Sequence, residues 1–145
     1  MARYAGRLTT LLRPEVAVTT VDASHINMPR PFRRLVPSYR RFAPLPPSWP
    51  APIDVVHFTD VYLGVHARRF DAARVTTVHD TMPAEYATWR RGGARWRVVY
   101  KRSLRLLDRS DLVITPSEHT RRELLKARPL PPERVAKPGF VPLKA

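Results

Sequence analysis

The sequence predicts an α/β fold with a mostly parallel sheet, and two apolar stretches carry that prediction. The first, Val75-Thr-Thr-Val78, is rich in β-branched residues and runs directly into His79 and Asp80. The second, residues 111–115, is followed by Pro116-Ser117-Glu118, which opens a helix. Strands without a polar face are typical of a buried parallel sheet, whose ligand crevice lies beyond the carboxyl ends of the strands. We therefore expect the functional residues to lie at the carboxyl ends of these two strands.

The remaining elements alternate between helices and strands, as an α/β fold requires. In chain order we predict a helix at 4–13, strands at 16–21 and 53–57, a short connection at 61–65, an amphipathic helix at 95–109, a helix from Ser117 to before Pro129, and an edge strand at 135–139. The apolar face of the amphipathic helix contains Trp96, Val99, Tyr100, Leu104 and Leu107. We expect that face to cover the sheet and the basic face to stay open.

The composition is strongly basic, with a net charge of +14 over 145 residues. Arginine outnumbers lysine 22 to 4, a skew that GC-rich coding alone can produce. A surface of this charge nevertheless attracts polyanions, whether nucleic acid, anionic lipid or phosphorylated substrates. The chain contains no cysteine, which excludes disulfides and thiolate metal sites. The length suits a single domain.

A proline- and arginine-rich segment at 29–52 holds eight of the sixteen prolines. Repeated proline forbids a central strand or a long helix, so we predict a loop. Its interleaved aromatic and arginine side chains suit a loop that packs onto the core, and this is the reading we favour. They would also suit base stacking with phosphate contacts, or an interfacial lipid surface. No stretch approaches the apolar length of a membrane-spanning helix.

Three ordered motifs carry a resemblance to a known family. They are Asp54-Val-Val-His57, Val75-Thr-Thr-Val-His-Asp80, and Asp111-Leu-Val-Ile-Thr-Pro-Ser-Glu118 followed by Thr120-Arg-Arg-Glu-Leu124. In this order and spacing they resemble the N-terminal domain of family-4 glycosyltransferases of the GT-B fold. The resemblance implies a Rossmann-like, mostly parallel sheet with flanking helices. It also implies transfer of a hexose from a nucleotide-diphosphate sugar, with retention, to a glycan, lipid or small acceptor.

The resemblance also implies site residues. His79 matches the family histidine at a strand end beside the transferred sugar, and we predict it as the catalytic residue. For substrate binding we predict Asp80, Ser117, Glu118 and His57. A strand-end histidine can bond a hydroxyl or a phosphate oxygen, and a helix N-terminus offers N–H groups to oxygen atoms. Structural alternatives stand beside these roles, since Asp80 could fix a turn, Ser117 cap its helix and His57 belong to the core.

The match to the family stops at both ends of the chain. The family's first strand and glycine-rich loop would precede Met1, and its donor-binding domain would follow Ala145. We therefore expect residues 1–145 to form an incomplete domain on the acceptor side, inactive alone. No cofactor and no metal site is predicted, because the five histidines show no metal-ligand spacing and no phosphate-binding loop is present.

Two functions of different classes follow. The first is a glycosyltransferase fragment whose partners are a nucleotide-sugar donor and a glycan or lipid acceptor. The alternative is a non-catalytic basic module that binds nucleic acid or an anionic membrane surface, with nucleic acid the weaker of the two. The predicted location is the cytoplasm, and peripheral contact with the inner membrane face stays open.

Overall fold

The computed structural model describes residues 10, 17–19, 52–81 and 93–136, and the chain divides into two compact units, Met1–Ala51 and Pro52–Ala145. In the first unit Thr10 is helical, in agreement with the helix predicted at 4–13, and the rest of that helix lies outside the described residues. Residues 17–19 are not in a strand, so the strand predicted at 16–21 is wrong there. A β-branched sequence forms a strand only where a neighbouring strand completes its hydrogen bonds. The proline-rich loop also lies outside the described residues, except for Pro52.

The second unit contains a four-stranded sheet that is parallel throughout. Its strands are β1 (Val55–Phe58), β2 (Ala73–Thr77), β3 (Leu112–Ile114) and β4 (Val135–Ala136), and they lie in the order β1-β2-β3-β4. Every neighbouring pair is parallel, and each connection carries helical structure. The predicted α/β fold with a parallel sheet and flanking helices is confirmed.

The strand boundaries differ from the predicted ones by a few residues because pairing with neighbours sets them. β2 begins at Ala73, where it pairs with Val55, rather than at Val75. It ends at Thr77, but the Val78 N–H still bonds the Ile114 carbonyl at 2.9 Å. The backbone of β2 therefore remains tied to β3 until the residue before His79.

Two α-helices flank the sheet, and each differs slightly from its prediction. The helix predicted at 95–109 is α1 (Gly93–Leu104), which tightens into the 3₁₀ helix η2 (Arg105–Arg109). The Ser110 N–H closes η2 on the Leu107 carbonyl at 3.0 Å. The helix opened by Ser117 is α2 (Glu118–Ala127), and a short 3₁₀ turn, η3 (Pro132–Arg134), precedes β4. None of the helices in the described ranges is long and apolar enough to cross a bilayer.

The connection predicted at 61–65 is instead a nine-residue 3₁₀ helix, η1 (Val61–Arg69). Asp60 caps it, since the Asp60 carboxylate accepts a hydrogen bond from the Tyr62 N–H at 3.1 Å. Gly64 lies against η2, because a Cβ built there would be 3.2 Å from the Leu106 Cβ. Only a residue without a side chain allows the two 3₁₀ helices to approach this closely without displacing Leu106.

The core lies where the sheet meets η1, α1, η2 and α2. The apolar face predicted for α1 is confirmed at its described positions, since Tyr100, Leu104 and Leu107 are all buried. The side chains of Trp96 and Val99 lie outside the described ones. Val113 of β3 and Leu124 of α2 are fully buried on the other elements. These contacts fix the ends of the strands on which the candidate site is built.

At the amino edge of the sheet, Asp111 joins the start of β3 to the start of β2. Its carboxylate accepts hydrogen bonds from the Arg74 main-chain N–H at 2.8 Å and from Arg74 Nε at 3.2 Å. The main-chain N–H of Arg74, followed by its guanidinium, lowers the pKa of Asp111. The Arg74–Asp111 ion pair therefore stabilises the amino edge, and the functional residues are expected at the opposite edge of the sheet.

Candidate active site

The carboxyl edge of the sheet gathers polar residues from three successive strands. Thr59 and Asp60 follow β1, His79 and Asp80 come shortly after β2, and the Ser117 cap of α2 follows β3. Because the strands are parallel, these residues share one edge. The edge predicted from the sequence therefore holds four of the five predicted site residues, namely His79, Asp80, Ser117 and Glu118. The fifth, His57, lies within β1.

His79 is held by the strand beside it. Its Nε2 lies 2.9 Å from the Thr59 main-chain carbonyl. A carbonyl only accepts hydrogen bonds, so Nε2 carries the hydrogen and the neutral ring has its lone pair on Nδ1. The side chain is half-buried, and its ring orientation is fixed by β1. The bond to Thr59 therefore sets the tautomer of the neutral ring, in which Nδ1 is the acceptor nitrogen.

His57 lies close to His79 on the neighbouring strand. Its Nε2 is 2.8 Å from the Thr77 hydroxyl. Burial lowers the pKa of His57, and the nearby His79 lowers it further. His57 is therefore neutral near pH 7, which limits the positive charge beside His79. The hydrogen bond to Thr77 gives His57 a structural role within the sheet. Its role in substrate binding remains a prediction.

Asp80 combines an anchored backbone with an unpartnered carboxylate oxygen. The Tyr100 hydroxyl of α1 donates a hydrogen bond to the Asp80 main-chain carbonyl. Burial, and then the nearby Asp80, Tyr62 and Asp60, raise the pKa of Tyr100, so that the hydroxyl keeps its proton and its donor role. Asp80 Oδ1 is buried and has no hydrogen-bond partner among the described residues. A buried acceptor of this kind is costly unless a ligand supplies the donor.

Ser117 caps α2, as its position predicted. Its Oγ accepts a hydrogen bond from the Thr120 N–H at 3.0 Å and contacts the Thr120 hydroxyl at the same distance. Glu118 is exposed in the first turn, where it pairs with Arg121 at 3.4 Å. The structural role of Ser117 is thus confirmed, and the substrate-binding roles of Ser117 and Glu118 stay predictions.

Three residues that support the site were not predicted. Thr59 orients His79 through its carbonyl, Thr77 bonds His57, and Tyr100 anchors the Asp80 backbone. The two threonines lie in or next to strands whose type was predicted, but their partners depend on how the strands are aligned. Tyr100 was assigned to an apolar face, and its hydroxyl was the only sign of a polar role. Within the described part of the chain, no three histidine or acidic side chains gather into a potential metal site.

A match to a known protein family covers most of the chain. A family model described as "Glycosyltransferase Family 4" matches residues 4–136 of the chain. The matched region includes every predicted site residue and all four strands. No curated protein matches the chain.

Proposed function

The chain belongs to glycosyltransferase family 4, and we propose that it forms the acceptor-binding side of a transferase that uses a nucleotide-diphosphate sugar. The acceptor would be a glycan, a lipid or a small hydroxylated molecule. Transfer would then require a second domain that binds the donor. On this proposal the 145-residue chain binds the acceptor but shows no turnover alone.

The observation that supports this proposal most strongly is the fixed ring of His79 at the carboxyl edge. A sugar hydroxyl is both a donor and an acceptor of hydrogen bonds. Nδ1 of His79, with its lone pair set by the contact to Thr59, suits such a hydroxyl as a hydrogen-bond acceptor. His79 would orient the reacting hydroxyl and hold its proton as the bond to the sugar forms.

Asp80 would complete the recognition of the acceptor. Its buried Oδ1 has no donor among the described residues, and a hydroxyl of the acceptor would satisfy it. The α2 N-terminus, on the same edge, would add main-chain N–H groups that favour oxygen atoms. The proposed site therefore offers two hydrogen-bond acceptors, His79 Nδ1 and Asp80 Oδ1, and one group of donors, the N–H groups at the α2 N-terminus. This pattern suits a polyol.

The test is saturation-transfer NMR of the purified chain with a panel of saccharides, glycosides and nucleotide sugars. We expect a saccharide or glycoside ligand whose signal falls about tenfold in His79→Ala, because the hydrogen bond from the acceptor hydroxyl to the ring is lost. The control is Lys126→Ala, which replaces an exposed side chain in the last turn of α2, at the end of that helix away from this edge.

Turnover is measured in the same samples by release of the nucleoside diphosphate. Binding of a saccharide that depends on His79, without turnover, supports the proposal. Turnover by the chain alone would contradict the requirement for a second domain. Equal binding by His79→Ala and Lys126→Ala would contradict the role of His79.

A further inference from the structure

The turn that leads from β1 into η1 contacts the candidate active site through its first residue. It spans residues 59–62, and we term it the capped turn. Thr59 offers the main-chain carbonyl that lies 2.9 Å from His79 Nε2. Asp60, the next residue, has a carboxylate that accepts a hydrogen bond from the Tyr62 N–H at 3.1 Å. The carbonyl that orients His79 and the side chain that caps η1 are therefore neighbours in the chain.

Peptide geometry links the orientation of the Thr59 carbonyl to the conformation of Asp60. That carbonyl belongs to the planar peptide unit that ends at the Asp60 Cα, so the backbone dihedral angles on either side determine where it points. Asp60 has φ −148° and ψ 139°, the extended conformation of a helix cap. Its own carbonyl accepts a hydrogen bond from the Leu63 N–H at 3.0 Å. The hydrogen bonds of the Asp60 carboxylate and carbonyl thus fix the peptide plane from which the Thr59 carbonyl projects.

The burial of Asp60 indicates that it positions other groups rather than binds a ligand itself. Asp60 is 8 % exposed, whereas His79 and Asp80 are both half-buried. A carboxylate buried to this degree has little surface for a ligand, and its bond to the Tyr62 N–H already engages one oxygen. We propose that Asp60 is a positioning residue, which fixes the orientation of the His79 ring through the Thr59 carbonyl.

The capped turn is held in place by an aromatic contact at its other end. Tyr62 is buried, and its ring meets the ring of Tyr100 edge to face, with the centroids 5.7 Å apart. Tyr100 in turn donates a hydrogen bond from its hydroxyl to the Asp80 carbonyl. The capped turn is therefore linked to both His79 and Asp80, directly in the first case and through Tyr100 in the second.

The far end of η1 is attached to the sheet independently of Asp60. Phe70 follows the helix, and its ring meets the ring of Phe58 in β1 edge to face, with the centroids 6.0 Å apart. Both side chains are buried. η1 should therefore stay packed on the sheet when the cap is removed. A variant of Asp60 can then release the Thr59 carbonyl without unfolding the chain.

The effect of Asp60 on acceptor binding rests on the proposed function, whereas its effect on the His79 ring does not. A ring that is already fixed loses no further rotational freedom when a hydroxyl bonds to it, and this lowers the entropy cost of binding. Asp60 thereby strengthens acceptor binding without contact with the acceptor.

The test follows the Nε2–H group of His79 in the full chain by proton–nitrogen NMR of the imidazole rings. Its signal is identified as the one absent from His79→Gln. A hydrogen-bonded N–H exchanges with water only when the bond opens locally. We expect this exchange to be about tenfold faster in Asp60→Ala, because the Thr59 carbonyl loses its fixed orientation. Asp60→Asn retains an equally good cap and should keep the natural rate within about twofold.

The matched control is Gly64→Ala, which disturbs the same helix at a position away from the cap. A Cβ there would lie 3.2 Å from the Leu106 Cβ, so Leu106 must move slightly. The exchange rate of the His79 ring N–H should nevertheless change less than about twofold. An unchanged rate in Asp60→Ala would overturn the proposal. Equal acceleration in Asp60→Ala and in either Gly64→Ala or Asp60→Asn would also overturn it, since weakening of η1 or loss of charge would then be the cause.

The natural chain provides a second measurement, which decides the matter if circular dichroism shows that Asp60→Ala does not fold. A rare local opening of the cap would free the Tyr62 N–H and the His79 ring N–H together. The two protons should therefore exchange with the same dependence on urea concentration below the unfolding transition. A difference between the two dependences would contradict the coupling.

Saccharide binding distinguishes a failure of this proposal from a failure of the proposed function. In the saturation-transfer experiment Asp60→Ala should lower the saccharide signal about fivefold. Asp60→Ala/His79→Ala should lie within about twofold of His79→Ala, because both changes act through the same ring. Additive losses would overturn the role of Asp60. Absence of saccharide binding by the natural chain would contradict the proposed function alone, and the exchange rates would still decide the role of Asp60.

Discussion

The hydroxyl of Tyr100 donates a hydrogen bond to the main-chain carbonyl of Asp80, which joins α1 to the segment that follows β2. Tyr100 is 3 % exposed, so removal of its hydroxyl in Tyr100→Phe leaves a partly buried carbonyl without a partner. We expect the free energy of unfolding to fall by about 1–3 kcal/mol, measured by urea titration.

A second variant distinguishes the contribution of the Tyr100 hydroxyl to stability from the contribution of its ring. The rings of Tyr100 and Tyr62 meet edge to face, with their centroids 5.7 Å apart. Tyr100→Leu should lose about 1 kcal/mol more than Tyr100→Phe, because this aromatic contact is lost as well. If Tyr100→Phe were as stable as the natural chain, the bond to Asp80 would contribute nothing to the anchoring of the site.

The pH dependence of stability should reflect the half-buried His57 and the buried His66. Burial lowers the pKa of both His57 and His66 from 6.5, with nearby His79 and Arg69 respectively adding to the effect. As the pH falls below 6.5 the unfolded chain takes up protons first, so the free energy of unfolding should decrease until the lower pKa of the folded state is reached. The two histidines contribute fully to the free energy of unfolding only above the pKa that they have in the unfolded chain. Urea midpoints measured from about pH 8 to about pH 5 test this.

His66 allows a sharper form of the same test. It is 5 % exposed, and its Nε2 has no hydrogen-bond partner among the described residues. His66→Met replaces it with a flexible apolar side chain and should flatten the pH dependence. Stability that rises as the pH falls through 6.5 would contradict the proposed cause.

Arg134 should contribute to stability far more than most arginines of this chain. Its Nη2 donates to the carbonyls of Leu107 and Asp108, each at 3.2 Å, and also to that of Ser110. Arg134→Met keeps the apolar stem but removes these donated hydrogen bonds, although the Leu107 carbonyl keeps its bond from the Ser110 N–H. We expect a loss of about 1–2 kcal/mol in urea titration. Arg134→Lys should lose about half as much, because an ammonium lacks the planar fork of the guanidinium.

The control for Arg134 is Arg122→Met, at an exposed position on α2 outside the ion pairs of the described residues. Its effect should stay within about 0.5 kcal/mol. Similar losses in Arg122→Met and Arg134→Met would mean that charge, rather than capping of the η2 end, sets the stability.

Ser117 offers a test that separates a helix cap from a ligand site. Ser117→Ala removes the bond to the Thr120 N–H and should cost about 1 kcal/mol. Ser117→Asp retains a good cap and favourable interaction with the helix dipole, so stability should be kept. A carboxylate at this edge would repel an anionic ligand and displace a neutral one. Loss of saccharide binding in Ser117→Asp would indicate a ligand role, and normal binding would leave Ser117 as a cap alone.

The main elements of the sheet could be predicted because each has a local cause. β2 and β3 are runs of apolar and β-branched residues, and Ser117 followed by Glu118 has the chemistry of a helix start. Their boundaries could not be predicted to the residue, since Ala73 joins β2 only through its pairing with Val55. η1 has a local cap at Asp60, but it was missed because it also depends on a tertiary contact, the close approach of Gly64 to Leu106.

The candidate site could be predicted in its location but not in its contacts. The positions of His79 and Asp80 follow from the end of an apolar strand. The partners of the two histidines, the Thr59 carbonyl and the Thr77 hydroxyl, are each 20 residues away along the chain. Such contacts depend on the relative alignment of β1 and β2, which local sequence does not encode. The same holds for Tyr100, whose hydroxyl finds Asp80 only after α1 has packed.

The amino edge of the sheet, which the Arg74–Asp111 ion pair stabilises, provides an attachment point for single-molecule experiments. Ala73 is exposed there, beside the Arg74–Asp111 brace and at the end of β2 opposite His79. Because the natural chain has no cysteine, Ala73→Cys would create one unique thiol for a fluorophore or a surface linker. A molecule immobilised through this thiol would present its carboxyl edge to the solution, so the proposed acceptor binding could be followed without a label at that edge.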